Sequence, residues 1–160
     1  MTSTTKSVPS SSRAAESSYY RHGLHGLTRL SMLYEELTKR IIHAAHEVHS
    51  ELGFGFLEAV YGNALYKELC REGLKCECQK PIDVYYKGEV VGHYIPDMIV
   101  EDTVIIELKA VVDLRPEHEW QLLNYLTACK KEVGLLINFG HSVKVRRKII
   151  TQHNSGEARQ

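Results

Sequence analysis

A predicted β-hairpin in the middle of the chain restricts the possible folds more than any other feature of the sequence. Residues 94–100 and 104–109 are rich in apolar and β-branched residues, and the polar residues 101–103 between them predict a tight turn. A turn centred on Asp102 fixes which residues of the two strands lie opposite one another. The predicted pairs are Val100 with Val104, Met98 with Ile106, and Asp97 with Glu107. The apolar residues predicted to fill one face and contact the core are Met98, Val100, Val104, Ile106 and Leu108.

The opposite face of this predicted hairpin carries three charged residues, Asp97, Glu107 and Lys109. Two carboxylates directly opposite each other repel and destabilise a sheet. A divalent cation between them removes the repulsion, because Mg²⁺ prefers hard oxygen ligands. The ammonium group of Lys109 could then help to deprotonate a water at the metal or balance charge on a phosphate. A solvent-exposed hairpin face with one salt bridge fits the same three residues, so the pattern alone leaves both interpretations open.

Four short motifs follow one another along the chain. Residues 55–61 read G-F-L-E-A-V-Y, and residues 96–109 contain the P-D and E-L-K groups of the hairpin. Residues 121–126 read Q-L-L-N-Y-L, and residues 134–140 read G-L-L-I-N-F-G. From about residue 33 to residue 150, this series resembles the bacterial GxxExxY proteins, which are grouped with the PD-(D/E)xK nuclease superfamily.

The resemblance implies a fold, a set of site residues and an activity. The implied fold has a restriction-endonuclease-like core. Asp97 and Glu107 are implied as ligands of Mg²⁺ or Mn²⁺, Lys109 as the catalytic lysine, Glu58 as a further acidic metal ligand, and Gln121 as a polar contributor. The implied activity is metal-dependent hydrolysis of phosphodiester bonds in DNA or RNA. The alternative is a non-catalytic module that keeps the nuclease fold and binds nucleic acid or a protein.

Hydrophobic periodicity predicts the remaining helices and strands. Apolar residues at helical spacing predict helices over residues 34–52, 57–72 and 116–129. Further strands are predicted over residues 75–79, 82–86, 89–94, 132–138 and 143–149. The helix between the strands that end at Lys109 and begin at Glu132 implies that these two strands run parallel. The fold class is therefore predicted as α/β, with a mixed sheet flanked by helices.

Two predicted helices carry polar residues that could face the same site. Glu58 lies in the first turn of its helix, where the helix dipole favours a carboxylate, so a capping role is an alternative to a role in the site. Tyr61 lies one turn further on and could point its hydroxyl into the same pocket. In the third helix His118, Gln121 and Tyr125 are predicted to share a polar stripe.

Composition predicts one small domain without a membrane span. A chain of 160 residues that is 43% hydrophobic can bury a core, and none of its apolar runs reaches the roughly 18 residues of a span. The formal net charge is zero, so no overall field attracts nucleic acid. Lys144, Arg146 and Lys148 are predicted to share one face of the last strand, where they could contact a phosphate backbone or protect a solvated edge strand. A protein partner or a second copy of the chain is compatible with the same composition.

The cysteines and histidines do not predict a structural framework. Cys70, Cys76, Cys78 and Cys129 form no C-x-x-C pair and no secretory signal precedes them, so reduced thiols in the cytoplasm are predicted. His43, His46 and His49 recur every third residue, which differs from the H-E-x-x-H zinc spacing. They are predicted to be surface or packing residues of the first helix.

The predicted domain covers residues 34–150. Serine dominates the first thirty or so residues and aliphatic residues are scarce before Leu24, so residues 1–33 are predicted to be a disordered tail, as are residues 151–160. Arg13, Arg21 and Arg29 with the single acid Glu16 also fit an organelle transit peptide. An upstream misassignment of the start site is a third explanation, because the resemblance begins near Met32.

Overall fold

The computed structural model describes residues 13–150, and the predicted disordered segments at 1–12 and 151–160 lie outside the described residues. The chain divides into two units, Met1–Glu36 and Leu37–Gln160. Helix α1 spans Arg13–Leu52, so it begins at Arg13 and not at residue 34 as predicted. Good helix formers such as Ala14, Ala15 and Glu16 outweigh the serines that suggested disorder there.

The unit from Leu37 onward is built on two sheets. Its five-stranded sheet has the strand order β1-β4-β5-β6-β7, and β2 and β3 form a separate two-stranded sheet. The elements after α1 are α2 (Glu58–Arg71), β1 (Cys76–Cys78), β2 (Ile82–Tyr86), β3 (Glu89–Tyr94), β4 (Met98–Val100), β5 (Val104–Lys109), α3 (Pro116–Cys129), β6 (Val133–Phe139) and β7 (Val143–Ile149). The mixed sheet with flanking helices confirms the predicted fold class.

The predicted hairpin register is confirmed where the two strands pair. Met98 lies opposite Ile106 and Val100 opposite Val104, in an antiparallel pair. Strands β5 and β6 pair in parallel, as the intervening helix α3 required. The ladder begins only at Met98, so Asp97 lies one residue outside it.

The strand predicted over residues 94–100 is wrong, because the chain leaves one sheet and enters the other within it. Strand β3 ends at Tyr94 in the two-stranded sheet, and β4 begins at Met98 in the five-stranded sheet. Pro96 lies in the break. Its fixed φ angle and missing N–H favour an interruption of a strand over its continuation.

Both faces of the central hairpin are buried, whereas the sequence predicted one charged face. Ile99 and Ile105, on the face that was expected to carry only charges, pack against Leu122 and Leu126 of α3. A crossover helix must lie over the sheet that contains its two parallel strands, so α3 buries this face. The only charged side chains of β5, Glu107 and Lys109, are confined to its last three residues.

Helix α2 covers the other face, and Tyr61 lies in its first turn. The Tyr61 side chain is fully buried and stacks on Phe139, with ring centroids 4.5 Å apart and planes 4° from parallel. Its hydroxyl donates to the Gly53 carbonyl oxygen at 2.7 Å, so the prediction that it points into a polar pocket is wrong. Val60, the preceding residue of the same helix, is exposed.

The prediction that the histidines of α1 are surface or packing residues is confirmed, and the cysteines are unpaired. All four cysteines are free, His43 and His46 are exposed, and the Nε2 atom of His49 lies 2.9 Å from the Gly140 carbonyl oxygen. In the described part of the chain, none of the helices has the length and apolar character needed to cross a membrane.

Candidate active site

A buried ion pair lies at the C-terminal end of β5. Lys109 donates from Nζ to Glu107 Oε1 at 2.7 Å, and Glu107 is only 2% exposed. Asp97 reaches the same strand end from the segment before β4, where its Oδ2 accepts the Leu108 N–H at 2.7 Å. The structure therefore brings the three charged residues of the predicted hairpin together, with Asp97 attached through the backbone of β5.

Glu58 approaches the same place from α2. Burial and the charge of Asp97 raise the pKa of Glu58, while Lys109, His118 and the Ala110 N–H oppose that shift. These groups all lie near the end of β5 or at the start of α3. Glu58 also lies in the first turn of α2, where the helix dipole stabilises its carboxylate. The capping role and the role in the site, both proposed from the sequence, therefore do not exclude each other.

The electrostatics of Glu107 are dominated by its burial. Burial raises the pKa of Glu107 to about 7, and Asp97 and Glu58 act in the same direction against the hydrogen bond from Lys109. Its second oxygen, Oε2, is buried and has no hydrogen-bond partner among the described residues. An orphaned buried acceptor is costly, and such atoms in native proteins usually serve an ion or a reaction.

Lys109 keeps its charge despite its burial. Burial lowers the pKa of Lys109, but the bond to Glu107 and the charges of Glu58 and Asp97 outweigh that effect and raise it above its usual value. A partly buried ammonium ion beside three carboxyl groups is therefore present at neutral pH.

An open cleft of about 250 Å³ lies between α2 and the ends of the strands. Its lining includes Glu58, Gly62, Asp97 and Leu108, and also Cys78 of β1. The glycine at position 62 helps α2 to lie close to β5, because a Cβ at this position would lie only 3.3 Å from a methyl group of Leu108. Glu58 and Asp97 thus face solvent-accessible space, while Glu107 lies behind them in the sheet.

The family model of the PD-(D/E)XK nuclease superfamily matches residues 35–150. The chain belongs to this superfamily. Within the matched range, residues 96–97 read P-D and residues 107–109 read E-L-K, the letters and order of the superfamily's name. A search of curated protein sequences gives no significant match.

Two solved structures are similar to this PD-(D/E)XK chain. One is the crystal structure of SSO0001, at 18% identity and a TM-score of 0.47, covering 61% of this chain and 52% of the other. The second is an alkaline exonuclease from Laribacter hongkongensis, at 15% identity and a TM-score of 0.45, covering 58% of this chain and 55% of the other. In both cases the match spans about half of the length of the solved chain.

Gln121 is hydrogen-bonded to a tyrosine that lies near the carboxylates. Its Nε2 donates to the Tyr125 hydroxyl at 3.0 Å. Burial raises the pKa of Tyr125, and the charges of Glu107 and Asp97 act in the same direction. Tyr125, predicted to lie on a polar stripe, is buried in the core with its hydroxyl close to these charges. Gln121 therefore orients a group beside the site.

Asn138, on β6, holds the chain directly after β5 and was not singled out from the sequence. It is fully buried, accepts the Val111 N–H at 2.9 Å and donates to the Val111 carbonyl oxygen at 2.8 Å. This pair of bonds fixes the segment that contains Lys109 and the Ala110 N–H. The sequence did contain a signal for this role, because Asn138 interrupts an apolar strand and a buried side-chain amide requires hydrogen-bond partners.

Proposed function

We propose that the chain is a metal-dependent nuclease of the GxxExxY type that hydrolyses phosphodiester bonds in nucleic acid. One observation carries this proposal: Glu107 Oε2 is buried without a partner among the described residues, beside Lys109 and close to Asp97 and Glu58. A salt bridge with only a structural role would not be stabilised by a carboxylate oxygen that lacks a partner, nor by two further carboxylates nearby. Membership of a nuclease superfamily supports the same conclusion.

The donor atoms fit a hard divalent cation. Asp97, Glu107 and Glu58 would hold Mg²⁺ or Mn²⁺ through carboxylate oxygens, the ligands that these ions prefer. Among the side chains that the structure describes, no three acidic, histidine or cysteine side chains are already grouped as a metal site, so loading requires a change of side-chain position. The bound cation would polarise the phosphate and lower the pKa of the attacking water.

Lys109 is the residue that we expect to act on the reacting groups. Its ammonium group is anchored at 2.7 Å to Glu107 and stays charged, so it can stabilise negative charge that develops on the phosphate or orient the attacking water. The negative charge of Glu58 would help to keep Lys109 charged. Gln121 would act through the Tyr125 hydroxyl as a positioning residue.

Cleavage assays with a lysine variant test the proposal. Labelled single- and double-stranded DNA and RNA are incubated with the protein, with and without Mn²⁺. The wild type should cleave at least one substrate only with the metal, and Lys109→Met should lower the rate by roughly a hundredfold or more. Lys80→Met is the matched control, because Lys80 pairs with Glu77 at 2.6 Å on the exposed surface. Undiminished cleavage by Lys109→Met would rule out the proposed mechanism.

The alternative function is a binding module that keeps the fold without catalysis. The zero net charge and the absence of a grouped metal site among the described residues favour it. Calorimetric titration with Mn²⁺ separates the two functions. A catalytic site should bind the ion and lose that affinity in Asp97→Ala, whereas a binding module should give no heat with either protein. Tight Mn²⁺ binding without cleavage of any nucleic acid would contradict the catalytic proposal.

A further inference from the structure

The loop between α1 and α2 exposes a group of large apolar side chains. Phe54, Phe56 and Leu57 are 61%, 47% and 77% exposed. The Phe54 ring packs against His141, in the turn between β6 and β7, with ring centroids 4.4 Å apart. We call Phe54, Phe56, Leu57 and His141 the aromatic rim. Exposed apolar surface that is grouped in this way is typical of binding sites.

The aromatic rim is held in a fixed conformation. Gly53 and Gly55 adopt φ angles of +73° and +103°. This backbone conformation would be strained in a residue that carries a side chain. The Tyr61 hydroxyl donates to the Gly53 carbonyl oxygen at 2.7 Å and accepts the Phe56 N–H at 3.4 Å. Because the loop is anchored to a fully buried side chain, a ligand would find the rim already ordered and would lose less entropy on binding.

The rim adjoins the candidate active site. Glu58 follows Leu57 directly in the chain. His141 follows Gly140, and a Cβ at Gly140 would lie 2.9 Å from the Val111 carbonyl oxygen, in the segment just after β5. A strand of nucleic acid whose phosphate lies at Glu58 would therefore have its neighbouring nucleotides beside the rim.

The charges near the site favour bases over phosphates as the groups that the rim contacts. Three of the four cations of β7 are paired with acids: Lys144 bonds to Asp113 at 3.0 Å, while Lys148 and Arg146 both contact Glu119. With a net charge of zero, few cations remain to neutralise phosphates. Aromatic side chains stack on base faces without needing charge, and only unpaired bases expose those faces.

We propose that the aromatic rim stacks on unpaired bases, which makes single-stranded nucleic acid the substrate class of this site. The inference rests on the proposed nuclease function. It adds the form of the substrate and the side chains that select it, with Phe54 and His141 as the stacking pair.

Binding measurements on rim variants test this inference. Fluorescence anisotropy is recorded with labelled single-stranded and duplex oligonucleotides of one sequence, in EDTA so that no cleavage occurs. Phe54→Ala should weaken single-strand binding by roughly 5- to 150-fold, the range for loss of one stacked base, and should leave duplex binding unchanged. Tyr86→Ala is the matched control, because Tyr86 is equally exposed on β2, and it should bind like the wild type. An equal loss on duplex and single strand would overturn the inference.

Two further substitutions separate stacking from simple apolar contact. Phe54→Trp keeps a flat ring and should retain single-strand affinity, whereas Phe54→Leu keeps apolar area without a ring and should lose it. Full affinity in Phe54→Leu would indicate a surface for an apolar protein partner and would contradict stacking. Thermal melting of each variant checks that the fold is intact.

Cleavage assays distinguish failure of this inference from failure of the proposed function. If the wild type cleaves nucleic acid with Mn²⁺ while Phe54→Ala binds and cleaves equally well, the rim has no role and the nuclease function stands. If single strands bind through Phe54 but are never cleaved with Mn²⁺, the nuclease function fails and the rim remains a binding surface.

Discussion

Glu107 is the residue at which stability and the proposed function conflict most directly. Its carboxylate is buried, its Oε1 is bonded to Lys109, and its Oε2 has no partner within the described residues. Lys109 compensates this charge only in part, because burial still raises the pKa of Glu107, so a proton or a second cation would stabilise the carboxylate further. Stability in the absence of metal should therefore depend on pH through this one residue.

The sign of this dependence follows from the direction of the pKa shift. Folding raises the pKa of Glu107 from 4.5 to about 7, so the folded state binds a proton more tightly than the unfolded state. The stabilisation is fully present below pH 4.5 and is lost as the pH rises through 7, a change of about 3 kcal/mol in the free energy of unfolding. Glu107→Gln should lack this loss. Urea denaturation in EDTA from pH 5 to pH 8 measures the free energy of unfolding of the wild type and of Glu107→Gln.

Addition of Mn²⁺ provides the control for the pH experiment. The cation should restore the stability of the wild type above pH 7, because it binds the ionised carboxylate, and should help Glu107→Gln much less. Parallel pH profiles for the two proteins would show that Glu107 is not the group that titrates.

Asn138 should contribute to stability through its two bonds to Val111. Asn138→Ala leaves a backbone N–H and a carbonyl group without partners, so a loss of about 1–3 kcal/mol in the free energy of unfolding is expected. Asn124→Ala, on the exposed face of α3, is the control and should stay within about 0.5 kcal/mol of the wild type. Equal stability of both variants would mean that Asn138 does not hold the segment after β5.

At the scale of elements, the fit of α3 against the sheet depends on a glycine. A Cβ at Gly134 of β6 would lie 2.7 Å from the nearest methyl group of Leu122, and the other two branch atoms lie at 3.1 and 3.2 Å. Leu122 is fully buried and cannot move away freely. The small residue on the strand therefore sets the distance between the crossover helix and the sheet.

Gly134→Ala should destabilise the protein by overpacking. The expected loss is about 1–3 kcal/mol in the free energy of unfolding, measured by urea denaturation. Gly92→Ala, in β3, is the matched control, since a Cβ there would meet no described atom within 4 Å, and it should be neutral or slightly stabilising. A neutral Gly134→Ala would indicate that α3 can shift away from β6.

At the scale of the whole molecule, the balance of charge is unusual for a protein that binds nucleic acid. The formal net charge is zero, and Glu119 of α3 holds both Lys148 and Arg146 of β7. The contact with Lys148 lowers the pKa of Glu119, so the pair stays ionised at neutral pH. The basic strand predicted to contact phosphates is thus partly neutralised by its neighbouring helix.

Binding of single-stranded nucleic acid should accordingly depend weakly on salt. A protein that contacts about two phosphates loses less than about tenfold in affinity between 50 and 200 mM salt. Glu119→Gln frees two cations, so it should tighten binding at low salt and steepen the salt dependence. Glu117→Gln, exposed on the same helix, is the control for the change in net charge. A steep slope in the wild type would show that phosphates dominate its binding.

Much of the local structure could be predicted from the sequence because it depends on neighbouring residues. The turn at Asp102 and the alternation of apolar side chains determine the pairing of Met98 with Ile106. The length of the segment between β5 and β6 requires a crossover helix and a parallel pair. The approach of Asp97 to Glu107 follows from the same register, since both residues flank that pair.

Features that depend on contacts between distant segments required the tertiary structure. Burial of Glu107 arises because α3 covers a hairpin face that the sequence suggested was exposed, and the resulting desolvation sets its pKa. The bonds between Asn138 and Val111 join residues 27 positions apart, and the contact of Phe54 with His141 joins two loops. The sequence alone determined which chemical groups are available and on which strands and helices they lie. Their burial, partners and charge state were decided only by packing, because desolvation and hydrogen bonding depend on every segment that surrounds a group.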